Sequence, residues 1–160
     1  MDESWLLLVH AGATWFMTGL IWFVQVVHYA MFDRVGDAPA GSAGQGYVRY
    51  QHDHMRLTTW VVGPVMLVEA ATAAALVVLR PVGVPGSLAW AGLLLVVALW
   101  ASTAALQVPA HRRLTLGFDP AAHRRLLRTN WLRTAMWSAR GILALWMIHF
   151  ALTNSAAPIE

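Results

Sequence analysis

Residues 51–69, QHDHMRLTTWVVGPVMLVE, decide how the rest of the chain is interpreted. The stretch opens with polar side chains and continues as an apolar segment that contains Pro64 and ends on the carboxylate of Glu69. If the segment is a membrane helix, Glu69 lies well inside the bilayer, where an ionisable group is costly and is a functional candidate by default. We expect the other segments to supply this helix with polar partners and to shield it from lipid.

The composition of the whole chain indicates a membrane protein. Its 160 residues are 58% hydrophobic and only 12% charged, whereas a soluble domain carries about twice that charge. This length predicts a single domain, 1–160. The chain has no cysteine, so a metal would need His, Asp, Glu, Met or backbone ligands.

Four apolar runs predict an all-α fold, an integral membrane four-helix bundle. Each run is at least as long as the roughly 20 residues that a helix needs to cross the hydrocarbon layer. The connection at 33–47 is rich in Gly, Ala and Asp and predicts a flexible loop, whereas 80–86 predicts a tight hairpin. Asp119 followed by Pro120 is a helix-start signal. The predicted helices cover about 5–32, 50–79, 87–111 and 121–152.

The arginines predict the topology. Only Arg80 lies at the second connection, whereas nine arginines flank the first and third loops. By the positive-inside rule these two loops are cytoplasmic and both termini are on the non-cytoplasmic side. We expect an antiparallel up-down bundle, multi-pass in a bacterial inner membrane, and no nucleic-acid partner. The nine are Arg34, Arg49, Arg56, Arg112, Arg113, Arg124, Arg125, Arg128 and Arg133.

Each predicted helix carries its polar side chains on one face. Steps of three, four and seven residues put them on a single stripe, which predicts a bundle with a partly polar interior. The four stripes are His10, Thr14, Thr18, Gln25 and His28; His54, Thr58, Glu69 and Thr72; Trp100, Thr103, Gln107 and His111; and Asn130, Arg133, Trp137 and Arg140.

Depth along the helices separates two groups of polar residues. Glu69 lies 13 residues beyond Arg56 and Arg140 lies seven beyond Arg133, so both are deep in the membrane. We expect an ion pair or a water-bridged pair between Glu69 and Arg140. Such a pair could serve catalysis or be purely structural.

Histidines gather at the predicted cytoplasmic helix ends. Imidazoles without thiolates suit iron, copper or zinc, or haem b, and the candidate metal ligands are His28, His52, His54 and His111. On a continuous helix His52 and His54 point about 200° apart, so only one of them can face the bundle. Each histidine could instead meet lipid headgroups, and His123 is expected at the interface.

These patterns favour a membrane oxidoreductase whose quinone, porphyrin or aromatic substrate enters from lipid. The alternatives are a non-enzymatic accessory or assembly subunit of a membrane complex, and a small carrier. The sequence leaves open whether the chain forms a homo-oligomer or joins a larger membrane complex. The candidate site residues are Glu69, Asn130, Arg133 and Arg140 for catalysis, His10, His28 and His111 for cofactor binding, and Gln25, Gln107, Trp131 and Trp137 for substrate binding.

Five short segments are informative together: GLIWFVQVVHYAMF (19–32), YQHDHMR (50–56), GPVMLVEA (63–70), QVPAHRRL (107–114) and RTNWLRTAMWSAR (128–140). They resemble small four-helix bacterial membrane proteins of the anthrone oxygenase-like group. The resemblance implies oxygenation of a polycyclic phenolic substrate, and it points to four site residues, His111, Asn130, Trp131 and Arg133.

The opening segment WLLLVHAGATWFMTGLIWF (5–23) and MRLTTWVVGPVML (55–67) are similar to a second family. This is the bacterial haem-dependent protoporphyrinogen oxidase family, and the similarity implies that His10 ligates haem. The chain departs from that family at a lysine of the third helix, because it contains no lysine.

Overall fold

Four long helices make up the part of the chain that the computed structural model describes, residues 4–36 and 43–154. No strand occurs within these residues. The first helix is Ser4–Phe23, continued by a π-helical segment Val24–His28, a 3-10 turn Tyr29–Met31 and Phe32–Gly36. The second helix is Ala43–Val78. The third is Gly86–Ser102, a π-helical segment Thr103–Gln107 and Val108–Leu114, and the fourth is Pro120–Asn154.

All four helices are long and apolar enough to cross a membrane. Their large apolar side chains lie on the outside of the bundle as well as in its core, and Trp60 is 75% exposed. Outward apolar side chains over whole helices are typical of proteins surrounded by lipid, because lipid tails are as apolar as the side chains themselves. The fold is therefore that of a multi-pass membrane protein.

The first predicted loop is shorter than the sequence indicates. Residues 33–36 and 43–47 are helical, and 37–42 lie outside the described residues. The second helix begins at Ala43 rather than near residue 50 because Tyr47 packs in a buried cluster with Leu114 and Leu126. Tertiary packing of this kind outweighs the cost of about 1 kcal/mol for a helical glycine.

The other helix ends follow the predicted boundaries closely. The fourth helix begins at Pro120, and the Asp119 carboxylate accepts hydrogen bonds from the N–H groups of Ala121 (2.8 Å) and Ala122 (3.1 Å). The third helix continues to Leu114 rather than ending at residue 111. Asp119 therefore caps the helix that carries the buried Arg133 and Arg140.

The turn between the second and third helices is fixed against the end of the fourth. Gly83 has a φ of 86°, and a Cβ atom there would lie 2.7 Å from Cβ of Asn154. The Asn154 side-chain amide donates to the Gly83 carbonyl at 3.2 Å. Only glycine fits this turn, since it tolerates positive φ and close approach.

Contacts between helices bring the polar stripes into register. The first helix packs on the second and the fourth, and so does the third. Along the interface of the first and second helices, His10 meets Thr72, Thr14 meets Glu69 and His28 meets His54. Around the last of these contacts an apolar cluster of buried residues holds the helix ends together: Tyr29, Phe32, Tyr47, Ala110, Leu114 and Leu126.

Candidate functional site

Three histidines and a tyrosine meet at one end of the bundle, and we call them the imidazole cluster: His28, Tyr29, His54 and His111. His28 Nε2 lies 2.9 Å from His54 Nδ1, and the Tyr29 hydroxyl lies 2.9 Å from His111 Nε2. The ring centroids of His54 and His111 are 5.4 Å apart. The first, second and third helices thus deliver their histidines to one place.

The two π-helical segments each turn a glutamine into the bundle beside this cluster. Gln25 and Gln107 are the buried residues of the two segments. Gln25 donates to the carbonyl of Leu127 at 3.3 Å, and Gln107 donates to the hydroxyl of Thr129 at 3.3 Å. Because π-helical turns occur often at functional sites, their position next to the imidazole cluster supports a site here.

Arg133 is held at the same end by a chain of neutral polar groups. Its Nη1 donates to Asn130 Oδ1 at 3.1 Å, and Asn130 Nδ2 donates to Gln25 Oε1 at 2.9 Å. The guanidinium also lies beside the Tyr29 hydroxyl. Arg133 is 7% exposed, and its buried Nε has no hydrogen-bond partner among the described residues. This donor is therefore unsatisfied within the part of the chain that the structure describes.

A groove of about 470 Å³ opens sideways between the second and third helices, and we call it the main groove. Its walls are apolar for most of their length and include Val62, Met66 and Leu67. Apolar pockets of this size with a few convergent polar groups are typical small-molecule sites. The polar residues at its end are Tyr29, His54, Gln107, His111 and Arg133.

A second groove of about 390 Å³ lies between the first and second helices. It is lined by apolar residues such as Phe23 and Leu57 together with His28. His54, Thr58 and Val62 line both grooves. The hydrogen bond between His28 and His54 therefore joins the polar ends of the two grooves.

Three of the four predicted metal ligands, His28, His54 and His111, meet in the imidazole cluster, whereas His52 is exposed. His111 uses Nε2 for its contact with Tyr29. Within residues 4–36 and 43–154 no group of three or more His, Asp or Glu side chains is arranged around a common metal position. The transition metal therefore stays a prediction.

The predicted haem ligand His10 lies elsewhere. Its Nδ1 is 2.9 Å from the Thr72 hydroxyl, and the side chain is 2% exposed. Neither groove is lined by His10. The structure gives His10 a hydrogen-bonded place in the core, and its role as a haem ligand stays a prediction.

The ion pair that the helix spacing predicts is present deep in the bundle. Arg140 bonds Glu69 through Nε and Nη2, and both side chains are 1% exposed. The Thr14 hydroxyl donates to Glu69 at 3.3 Å, and Arg140 Nη1 donates to the carbonyl of Gly92. None of these four residues lines either groove, so the pair is separate from the imidazole cluster.

The structure places the four predicted substrate-binding residues in different surroundings. Gln107 lines the main groove. Gln25 is not a lining residue: it accepts a hydrogen bond from Asn130, which in turn accepts one from Arg133. Trp137 is buried in an apolar cluster with Met66 and is not itself a lining residue of either groove. Trp131 is half exposed and packs edge-on against Trp22, with ring centroids 5.7 Å apart. Only Gln107 of this group can contact a molecule in the main groove.

Two site residues escaped the sequence analysis. Tyr29 was overlooked, although it lies one turn after Gln25 and three residues before buried Phe32. His123, expected at the interface, is 5% exposed, and its Nε2 lies 2.7 Å from the Tyr29 carbonyl oxygen. Continuing the stripe of the first helix past His28 would have found Tyr29.

Comparisons with family models, characterised proteins and solved structures give no match to this chain.

Proposed function

We propose that this chain is a membrane-embedded oxidoreductase that takes a hydrophobic ring compound from the lipid into the main groove. Antiparallel helices in a bacterial inner membrane, with the arginine-rich loops cytoplasmic and the termini outside, would place the imidazole cluster near the cytoplasmic surface. The resemblance to the anthrone oxygenase-like group implies a substrate of this class, a polycyclic ring system with phenol or ketone oxygens.

The observation that carries this proposal is the way the main groove ends. Its apolar walls suit a ring system, and its end presents Tyr29, His111, Gln107 and Arg133. Hydrogen-bonding groups at the closed end of an apolar pocket orient a ligand that has one polar edge. A ring ketone or phenol has such an edge.

Proton transfer is the chemistry that the chain's own residues can supply. When His111 carries its proton on Nε2 and donates to Tyr29, its buried Nδ1 keeps a free lone pair, and this atom has no hydrogen-bond partner among the described residues. An imidazole can remove a proton from a ring methylene that is conjugated with a ketone through aromatic rings, as in anthrone. Dioxygen would be the oxidant: a ring methylene and dioxygen give a ring ketone and water.

The test uses the purified protein in phosphatidylcholine nanodiscs with anthrone as the probe. We expect oxygen uptake and anthraquinone absorbance above the rate in protein-free nanodiscs, with a loss of about 10²-fold or more in His111→Asn, the usual effect of losing a general base. Tyr29→Phe should also slow the reaction, whereas His149→Asn, an exposed histidine outside the grooves, should not.

Two results would overturn the proposal. One is a wild-type rate equal to that of protein-free nanodiscs. The other is a wild-type rate above that background that His111→Asn leaves unchanged in a variant that still folds, as judged by helical circular dichroism.

A further inference from the structure

Two arginines of the fourth helix are buried in the bundle, and within the described residues one of them is paired with a carboxylate. Arg133 and Arg140 lie seven residues apart on the same face and are 7% and 1% exposed. Arg140 pairs with Glu69, whereas among the described residues Arg133 contacts the neutral groups of Asn130 and Tyr29. Within that part of the chain the fourth helix therefore carries one guanidinium that is paired with a carboxylate and one that is not.

No carboxylate in the described part of the chain is free to balance Arg133. Glu69 is taken by Arg140, and the Asp53 and Asp119 side chains pair with Arg56 and Arg113 near the surface. Asp33 accepts an exposed hydrogen bond from the backbone N–H of Arg34. Each of the four described carboxylates thus has a partner other than Arg133.

An uncompensated guanidinium in this position is costly. Arginine keeps its proton in proteins, and a buried charge without a partner costs several kcal/mol. The histidines around Arg133 cannot balance it, because an imidazole is either neutral or positive. The main groove reaches Arg133, and the free Nε there is a buried donor without an acceptor.

We infer that the main groove binds a hydrophobic anion whose ionised oxygen pairs with Arg133. The inference rests on the proposed function and narrows its substrate to a ring compound that carries a carboxylate or an ionised phenol or enol. The apolar walls would hold the ring body, and Arg133 with its fork of N–H donors would hold the oxyanion. The phosphate of an anionic phospholipid has the same chemistry, so the test must separate the two sources.

The test compares an acid with its neutral ester of nearly the same shape. Anthracene-9-carboxylate and its methyl ester are titrated into the protein in phosphatidylcholine nanodiscs, and binding is followed by energy transfer from tryptophan, since Trp100 lines the groove. Partition into protein-free nanodiscs is subtracted. We expect the acid to bind at least about 30-fold more tightly, as for other buried charge pairs.

Variants then assign this preference to Arg133. Arg133→Gln should bind acid and ester equally, and Arg133→Lys should keep part of the preference because it keeps the charge. Arg128→Gln removes an exposed arginine of the same helix and should leave the preference unchanged. The comparison of acid and ester in the wild-type protein needs no variant, so it holds even if Arg133→Gln fails to fold.

Each outcome decides the inference. Equal binding of acid and ester by the wild-type protein, or an undiminished preference in folded Arg133→Gln, overturns it while leaving the groove's proposed function in place. Absence of binding by either compound contradicts the inference and the groove proposal together. Displacement of the acid by 20% phosphatidylglycerol in the nanodiscs supports an anion site but assigns it to a lipid headgroup, whereas retention of the acid supports a substrate site.

Discussion

Glu69 on the second helix and Arg140 on the fourth form an ion pair at the centre of the bundle, with both side chains 1% exposed. The Thr14 hydroxyl donates to Glu69 and Arg140 donates to the carbonyl of Gly92, whereas Glu69 Oε2 has no hydrogen-bond partner among the described residues. Such a pair is stable only while both charges are present, because desolvation of each ion is repaid by the other and by the added hydrogen bonds. Its separation from both grooves favours a structural role.

Removing one member of this pair should therefore cost more than removing both. We expect Glu69→Gln to lower the free energy of unfolding by about 3–5 kcal/mol, and the double variant Glu69→Leu with Arg140→Met to be clearly milder. Unfolding in a mild detergent, followed by circular dichroism, measures the difference. Asp53→Asn, which breaks the exposed pair with Arg56, should change stability by at most about 1 kcal/mol.

A double variant as unstable as Glu69→Gln would contradict this account. It would mean that Glu69 contributes through something other than neutralising Arg140.

The hydrogen bond between His28 and His54 predicts an unequal pair of variants. His54 Nδ1 also lies 3.2 Å from the Thr58 hydroxyl, so His28→Ala leaves His54 with a partner. His54 is the more buried of the two rings. We therefore expect His54→Ala to destabilise more than His28→Ala, with a coupling energy of about 1 kcal/mol in a double-mutant cycle.

Additive effects of the two single variants would show that the 2.9 Å contact contributes nothing to folding. Thermal unfolding in nanodiscs of the wild type, both single variants and the double variant provides the four values.

Much of the fold follows from helical spacing because lipid simplifies the problem. A polar side chain in a membrane helix must find a polar partner, so the stripe of the fourth helix predicts its buried face correctly: Asn130, Arg133, Trp137 and Arg140 are all buried. The same rule places Glu69 opposite Arg140, and the depth of each residue follows from the rise of the helix.

The site is harder to predict because spacing does not show where a buried stripe ends. Gln25, Tyr29 and Phe32 are all buried at steps of four and three, whereas the predicted stripe ends at His28. The two π-helical segments, Val24–His28 and Thr103–Gln107, are not visible in the spacing either. Sequence spacing also cannot show which of His52 and His54 faces the bundle, since this depends on which side of the helix packs against its neighbours.

Whether a ligand binds in the main groove can be tested at a glycine on the wall of that groove. A Cβ atom at Gly63 would meet nothing within 4 Å, and Gly63 lines the main groove. Gly63→Phe should therefore fill the groove without disturbing the backbone and reduce binding of anthracene-9-carboxylate by 10-fold or more. Gly19→Phe is the matched control, because Gly19 is exposed with equal space around it and lies outside both grooves.

Equal binding by wild type and Gly63→Phe would place the ligand outside the main groove. Helical content and thermal stability should be unchanged or higher in both variants, since any side chain is a better helix former than glycine.

The cap of the fourth helix gives a pH-dependent prediction outside the membrane spans. The N–H of Ala122, the Arg113 side chain and the N–H of Ala121 all bond the Asp119 carboxylate and lower its pKa below the ordinary 3.8. A carboxylate with a lowered pKa stabilises the fold above its unfolded pKa, and this contribution is lost as pH falls through the folded pKa.

At pH 7 we expect Asp119→Ala to melt about 2–4 °C below the wild type. Between pH 5 and pH 2 the gap should narrow, and thermal unfolding followed by circular dichroism measures it. Asp119→Asn, which keeps a neutral cap, should show a smaller gap at pH 7, and this gap should close in acid because the protonated Asp119 of the wild type is neutral as well. A gap between wild type and Asp119→Ala that stays constant down to pH 2 would show that the charge of Asp119 does not stabilise this helix start.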